Sequence, residues 1–124
     1  MRELWQKLGL KPGMAVALGD APREFWNALG DVPEGIDYEA PMHRAAMAFF
    51  FLEDPESFGR QMDAIERVGA RIPVWLIYRK GGLKMTELRE VMIDAGFIDC
   101  KICMVNKNWA GILVKRRVRS GKKI

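Results

Sequence analysis

The sequence predicts an α/β domain of three layers. Its sheet is mostly parallel and six-stranded, in the order 2-1-3-4-6-5, with helices on both faces and an antiparallel hairpin at the C-terminal end. Three observations predict it. Apolar runs alternate with segments of helical periodicity, the pattern of parallel strands joined by right-handed crossovers. Residues 72–78, Ile-Pro-Val-Trp-Leu-Ile-Tyr, are apolar on consecutive positions rather than alternate ones, so they read as a strand buried on both faces. The last two apolar runs, 99–105 and 109–117, are separated only by the turn Asn106-Lys107-Asn108, which makes them a hairpin.

Each element has its own reason. Leu4, Trp5 and Leu8 follow helical spacing, and Gly9 stops that short leading helix. Lys11-Pro12-Gly13 is a turn, and residues 14–18 form a first buried strand ending at Gly19-Asp20-Ala21-Pro22. Pro22 suits the first turn of a helix, because its missing N–H would be unpaired there anyway. Phe25, Trp26 and Leu29 give that helix an apolar face, and Gly30 caps it. Residues 36–39 are a short strand at an edge. Residues 45–52 are the most apolar run, read as a buried strand, with helix as the alternative because of its alanines. Asp54-Pro55-Glu56 then supplies an N-cap, a first-turn proline and a first-turn acid. Phe58, Met62, Ile65 and Val68 continue the helix to Gly69. After the strand at 72–78 come the basic pair Arg79-Lys80 and the glycines 81 and 82. Thr86 is placed to cap a last helix whose face is Leu88, Val91, Met92 and Ala95, and Gly96 ends it.

At 124 residues the chain fits one domain, residues 1–124, large enough for a core without staples. Its composition, 49% hydrophobic and 29% charged, is that of a soluble globular protein. No apolar run reaches the roughly 18–20 residues of a membrane span. Two cysteines and eight methionines fit a reducing compartment, so a cytoplasmic location is expected. The net charge of +4 is a C-terminal property. Residues 115–124 carry six basic residues and no acid, leaving 14 basic and 16 acidic residues in the other 114. Lys115, Arg116, Arg117, Arg119, Lys122 and Lys123 are therefore the candidates for contact with nucleic acid, with a basic tail at 118–124. No aromatics interleave with them, so such a role is not expected to dominate.

Several segments resemble a known family. Residues 8–18, Leu-Gly-Leu-Lys-Pro-Gly-Met-Ala-Val-Ala-Leu, followed by Ala21-Pro22, are similar to the opening of a family of small bacterial proteins catalogued as a domain of unknown function. Trp75-Leu76-Ile77-Tyr78-Arg79-Lys80 resembles its middle signature, and Asn108-Trp109-Ala110-Gly111 its terminal hairpin. The order of elements also resembles a truncated Rossmann fold, that of a shortened class I methyltransferase. That resemblance implies S-adenosylmethionine over the loop after the first strand. Here the loop holds one glycine, Gly19, and a proline that cannot donate, so the cofactor is disfavoured.

The predicted topology gathers one polar set. The chain leaves the first strand outward to the second, then turns back through the third and fourth. The switch point, where open α/β sheets bind ligands, therefore lies between the ends of strands one and three. Gly19 and Asp20 flank it on one side, Glu53 and Asp54 on the other. Glu39, Tyr78, Arg79 and Lys80 end neighbouring strands, with Arg79 and Lys80 expected to face an anionic group. Cys100-Lys101-Ile102-Cys103 matches C-x-x-C but falls in a strand. Residues three apart there sit roughly 10 Å apart on opposite faces, too far for a disulfide. His43, the single histidine, precedes the third strand, away from the crevice, and has no nucleophile beside it. No catalytic residue and no metal site emerge. The expected function is binding of a small molecule or a protein partner at the strand carboxyl ends without catalysis. The alternatives are a divergent S-adenosylmethionine-dependent methyltransferase and a nucleic-acid accessory protein acting through the tail.

Overall fold

The computed structural model describes residues 2–117. Among them the chain forms helices α1 (Leu4–Lys7), α2 (Arg23–Ala28), α3 (Pro55–Gly69) and α4 (Met85–Asp94), and a 3-10 turn at Met42–Arg44. The strands are β1 (Val16–Ala17), β2 (Met47–Leu52), β3 (Val74–Arg79), β4 (Phe97–Met104) and β5 (Trp109–Arg116). They make one mixed sheet in the order β1-β2-β3-β5-β4. The pairs β1–β2 and β2–β3 are parallel; β3–β5 and β5–β4 are antiparallel.

The three inner strands explain the layering. Their side chains alternate between two clusters, as a pleated strand requires. Ala48, Phe50, Leu52, Val74, Leu76, Ala110 and Ile112 join Phe58 and Ile65 of α3 and Leu88 and Met92 of α4. Phe49, Trp75, Ile77, Trp109 and Leu113 join Leu4 and Leu8 at α1 and Phe25 and Leu29 at α2. Trp75 is fully buried, and its Nε1 donates to the Leu8 carbonyl at 3.0 Å, which fastens the leading helix to the middle of the sheet.

The structure corrects the six-stranded, mostly parallel expectation. Residues 36–39 are not a strand. They meet β1 only through isolated bridges, Ala15 with Asp37 and Ala17 with Glu39. The cause is local: Asp37 Oδ1 accepts the Glu39 N–H at 2.9 Å, so a side chain takes the amide that a ladder would need. Without that strand the remaining order is the expected one, and parallel and antiparallel pairs are equal in number. Thr86 also does not cap α4. The N-cap is Lys84, without a side-chain bond, and Thr86 lies inside the helix. Asp54 is an N-cap as read, its Oδ1 accepting the Ser57 N–H at 2.8 Å.

β4 is the sheet's edge and breaks its own alternation. Asp99 pairs with Val114 and Lys101 with the adjacent Leu113, so Cys100 is an extra residue, a bulge. Ile98, Ile102 and Met104 of this strand are exposed. Both cysteines are free, Cys100 exposed and Cys103 buried. Burial raises the Cys103 thiol pKa above its ordinary value, partly offset by Lys7 and Lys101. At pH 8, iodoacetamide should therefore modify Cys100 and leave Cys103 untouched until denaturant is added. Mass spectrometry checks this on the digested protein; equal labelling of the two would contradict the placement of Cys103 in the core.

Candidate functional site

β1 and β2 run side by side and release the chain at the same end of the sheet. After β1 the backbone turns through Gly19 at φ 69°, leaving Asp20 exposed, and Pro22 stands at the N-cap position of α2 without a side-chain bond, one residue before the first turn expected of it. After β2 it passes Glu53 to Asp54, the N-cap of α3. Between these exits lies a cleft of about 510 Å³. Asp20 and Pro22 line one side, and Glu53, Asp54, Glu56, Ser57 and Arg60 the other. Phe51 and Trp109 supply its aromatic wall. Two further cavities also reach Asp20. One, about 390 Å³, includes Gly19, Phe49 and Gln61; the other, about 540 Å³, includes Gly19, Trp26, Tyr38 and Glu39.

The cleft's charge is negative. Four carboxylates line it against one guanidinium, and Arg60 sits 3.7 Å from Glu56 as an exposed i,i+4 pair. Such a pair contributes little to stability. Trp109 is 3% exposed, and its indole N–H has no hydrogen-bond partner among the described residues. An unpaired buried donor carries a desolvation cost of about 1–3 kcal/mol.

Of the residues read from the sequence, Gly19, Asp20, Glu39 and Glu53 line this group of cavities, with Asp20 common to all three. Tyr78 does not: it is buried in the core beneath α3 and α4. Arg79 lies over the Trp109 ring at 5.9 Å, because those two residues face each other across β3 and β5. Lys80 turns the other way, its Nζ 2.9 Å from Met104 Sδ. Neither cation lines the cleft, so the expected anionic group facing them gives way to an acidic opening. Lys115, Arg116 and Arg117 are exposed beyond the amino end of β3, opposite the cleft, with Arg116 over Phe97 at 5.8 Å. Arg119, Lys122 and Lys123 lie outside the described residues. Sequence reasoning missed Phe51, Glu56, Arg60 and Trp109. The i,i+4 spacing of Glu56 and Arg60 could have found that pair, and hairpin register could have set Trp109 beside Arg79.

Among the described residues no group of three or more His, Cys, Asp or Glu side chains could hold a metal ion, and no helix is long and apolar enough to cross a membrane. Burial raises the phenol pKa of Tyr38 and of Tyr78. Each is held protonated in the fold, so its contribution is complete below the ordinary phenol pKa and is lost as pH rises through the folded value. Urea melts between pH 9 and 11 should show stability falling; a Tyr78→Phe variant should fall less.

The residues do not complete an S-adenosylmethionine pocket. Gly19 and Glu39 do line one cavity. But a single 3-10 turn, Met42–Arg44, stands between Glu39 and β2, where the methyltransferase resemblance implies a strand and helix beside the adenine.

Comparison with known proteins gives no family. No family model matches the chain, and no curated protein matches it. A structure of a LepI variant in complex with SAH and a substrate analogue is 15% identical, with a TM-score of 0.49, covering 92% of this chain and 39% of that one. A LepI complex with SAM has the same identity and coverages and a TM-score of 0.45. A structure described as a pericyclic reaction enzyme gives 0.44 on the same figures. The chain thus spans 39% of the length of these proteins. A likeness at that level says nothing of binding or chemistry.

Proposed function

We propose that the domain binds a small organic cation in the cleft at the carboxyl ends of β1 and β2, and that it catalyses no reaction. The observation that carries this reading is the cleft's lining: four carboxylates beside Phe51 and Trp109, with Arg60 near Glu56 as its one cation. An ammonium group finds carboxylates there beside the half-buried ring of Phe51, and an aromatic face attracts a cation by about 0.5–1 kcal/mol or more. The reading includes membership of the small bacterial family that the opening, middle and hairpin segments resemble, and residence in a reducing cytoplasm.

Titration calorimetry with ethanolamine, choline and glycinamide tests it. At least one should saturate with a dissociation constant below about 1 mM, near −4 kcal/mol. Asp20→Asn and Glu53→Gln should each weaken it about tenfold. Saturable binding of acetate with none of the amines would reverse the assigned charge. S-adenosylmethionine is the other arm: a constant below about 10 μM, abolished by Glu39→Ala, would put the transferase reading first.

A further inference from the structure

We infer a second ligand site, for an aliphatic carboxylate, in the groove between the 3-10 turn at Met42–Arg44 and the C-terminal end of α3. The groove is about 330 Å³, at the lower end of the range for small-molecule sites. Its wall is made of two kinds of side chain. Met42, Ala64, Val68 and Ile72 are apolar; His43, Arg67 and Arg71 are basic; no acid lines it. This is the reverse of the cleft at the sheet's other end, whose wall holds four acids.

The arrangement follows from helical spacing. Ala64, Val68 and Ile72 are four residues apart, and so are Arg67 and Arg71. The turn persists past the end of α3, since the Ile72 N–H still donates to the Val68 carbonyl at 3.1 Å. Residues four apart stand one above the other, so an apolar row runs beside a cationic row. Val68 and Ile72 are half-buried against the core, Met42 is 45% exposed, and both arginines are exposed.

Among the described residues neither Arg67 nor Arg71 makes an ion pair with Asp or Glu. Asp63 and Glu66 share the helix but line no part of the groove. Two guanidiniums four apart repel one another, and an anion between them relieves that repulsion. A carboxylate meets a guanidinium fork with two hydrogen bonds. An alkyl chain attached to it would lie along the apolar row and cover Met42, each CH₂ leaving water as it does so. Head and tail together match the two rows. Inorganic phosphate satisfies only the cations and an alcohol only the apolar row.

The test is titration of the full chain with octanoate, with inorganic phosphate and 1-octanol as comparators, followed by calorimetry or amide chemical shifts. Octanoate should bind one to one and saturate; the comparators should bind at least tenfold more weakly. The exposed double variant Arg67→Gln/Arg71→Gln should keep the wild-type thermal melt and lose at least tenfold in octanoate affinity. Asp20→Asn should leave octanoate binding unchanged, which separates this site from the acidic cleft. The inference is overturned if octanoate fails to saturate. It is equally overturned if the double variant binds octanoate as tightly as the wild type, or if phosphate binds as well as octanoate.

Discussion

Trp75→Ala should destabilise the chain by about 3–5 kcal/mol, the usual cost of emptying a large aromatic site in a core. The indole is fully buried on β3, in register with Phe49 of β2 and Leu113 of β5, and all three belong to one cluster. Its removal leaves a cavity between sheet and α1. It also leaves the Leu8 carbonyl without the donor that reaches it at 3.0 Å. Domains of this size have about 5–15 kcal/mol of stability, so the variant should sit near the edge of folding, with Tm lowered by roughly 10–20 °C. Trp75→Phe keeps most of the ring and loses the N–H, so it should cost about 1–3 kcal/mol. Urea titrations of the two variants separate packing from the hydrogen bond. A loss below about 1 kcal/mol in Trp75→Ala would contradict the placement of the indole at the centre of the fold.

Gly82→Ala should damage stability and the acidic cleft together. A Cβ on Gly82 would overlap the carbonyl oxygen of Glu53. The atoms it would meet are backbone, so no side chain can turn aside, and either the 81–83 loop or the exit from β2 must move. That exit carries Glu53 and Asp54 into the cleft. The expected result is a loss of about 2 kcal/mol or more, together with weaker binding of whichever amine the cleft takes. Gly81→Ala is the control. Gly81 has φ 91°, which an alanine adopts only at a cost of about 1–2 kcal/mol, but a Cβ there meets open space. It should lose stability and keep cleft affinity. Equal binding in wild type and Gly82→Ala would show that the Glu53 exit does not shape the site.

The parts legible in the sequence were those decided by neighbours along the chain or by simple topology. Asp54-Pro55-Glu56 starts α3 as read because capping is a contact within one turn. Asp20 and Glu53 meet across one cleft because the order of β1, β2 and β3 puts the exits of β1 and β2 together. The stretch 36–39 misled because its composition suits a strand while the Asp37 side chain takes the Glu39 amide. Arg79 and Lys80 misled because successive strand residues point to opposite faces, and their partners, Trp109 and Met104, come from the hairpin. The cleft's charge and aromatic wall were equally hidden. Arg60 lies more than a turn inside α3, and Phe51 and Trp109 belong to strands that read chiefly as core.

The extra residue in β4 has a consequence for life at high concentration. In a regular strand, Ile98, Cys100, Ile102 and Met104 would all project from one face, a continuous greasy row along an unpaired sheet edge. Such a row invites another chain to add itself as the next strand. The register shift at Cys100 splits the row. Ile98 pairs with Lys115, while Ile102 and Met104 pair with Ile112 and Ala110 on the other face. The break also disturbs the straight run of free amides and carbonyls that an incoming strand would need. The bulge thus leaves apolar residues on the rim while breaking the regular pattern that strand addition uses.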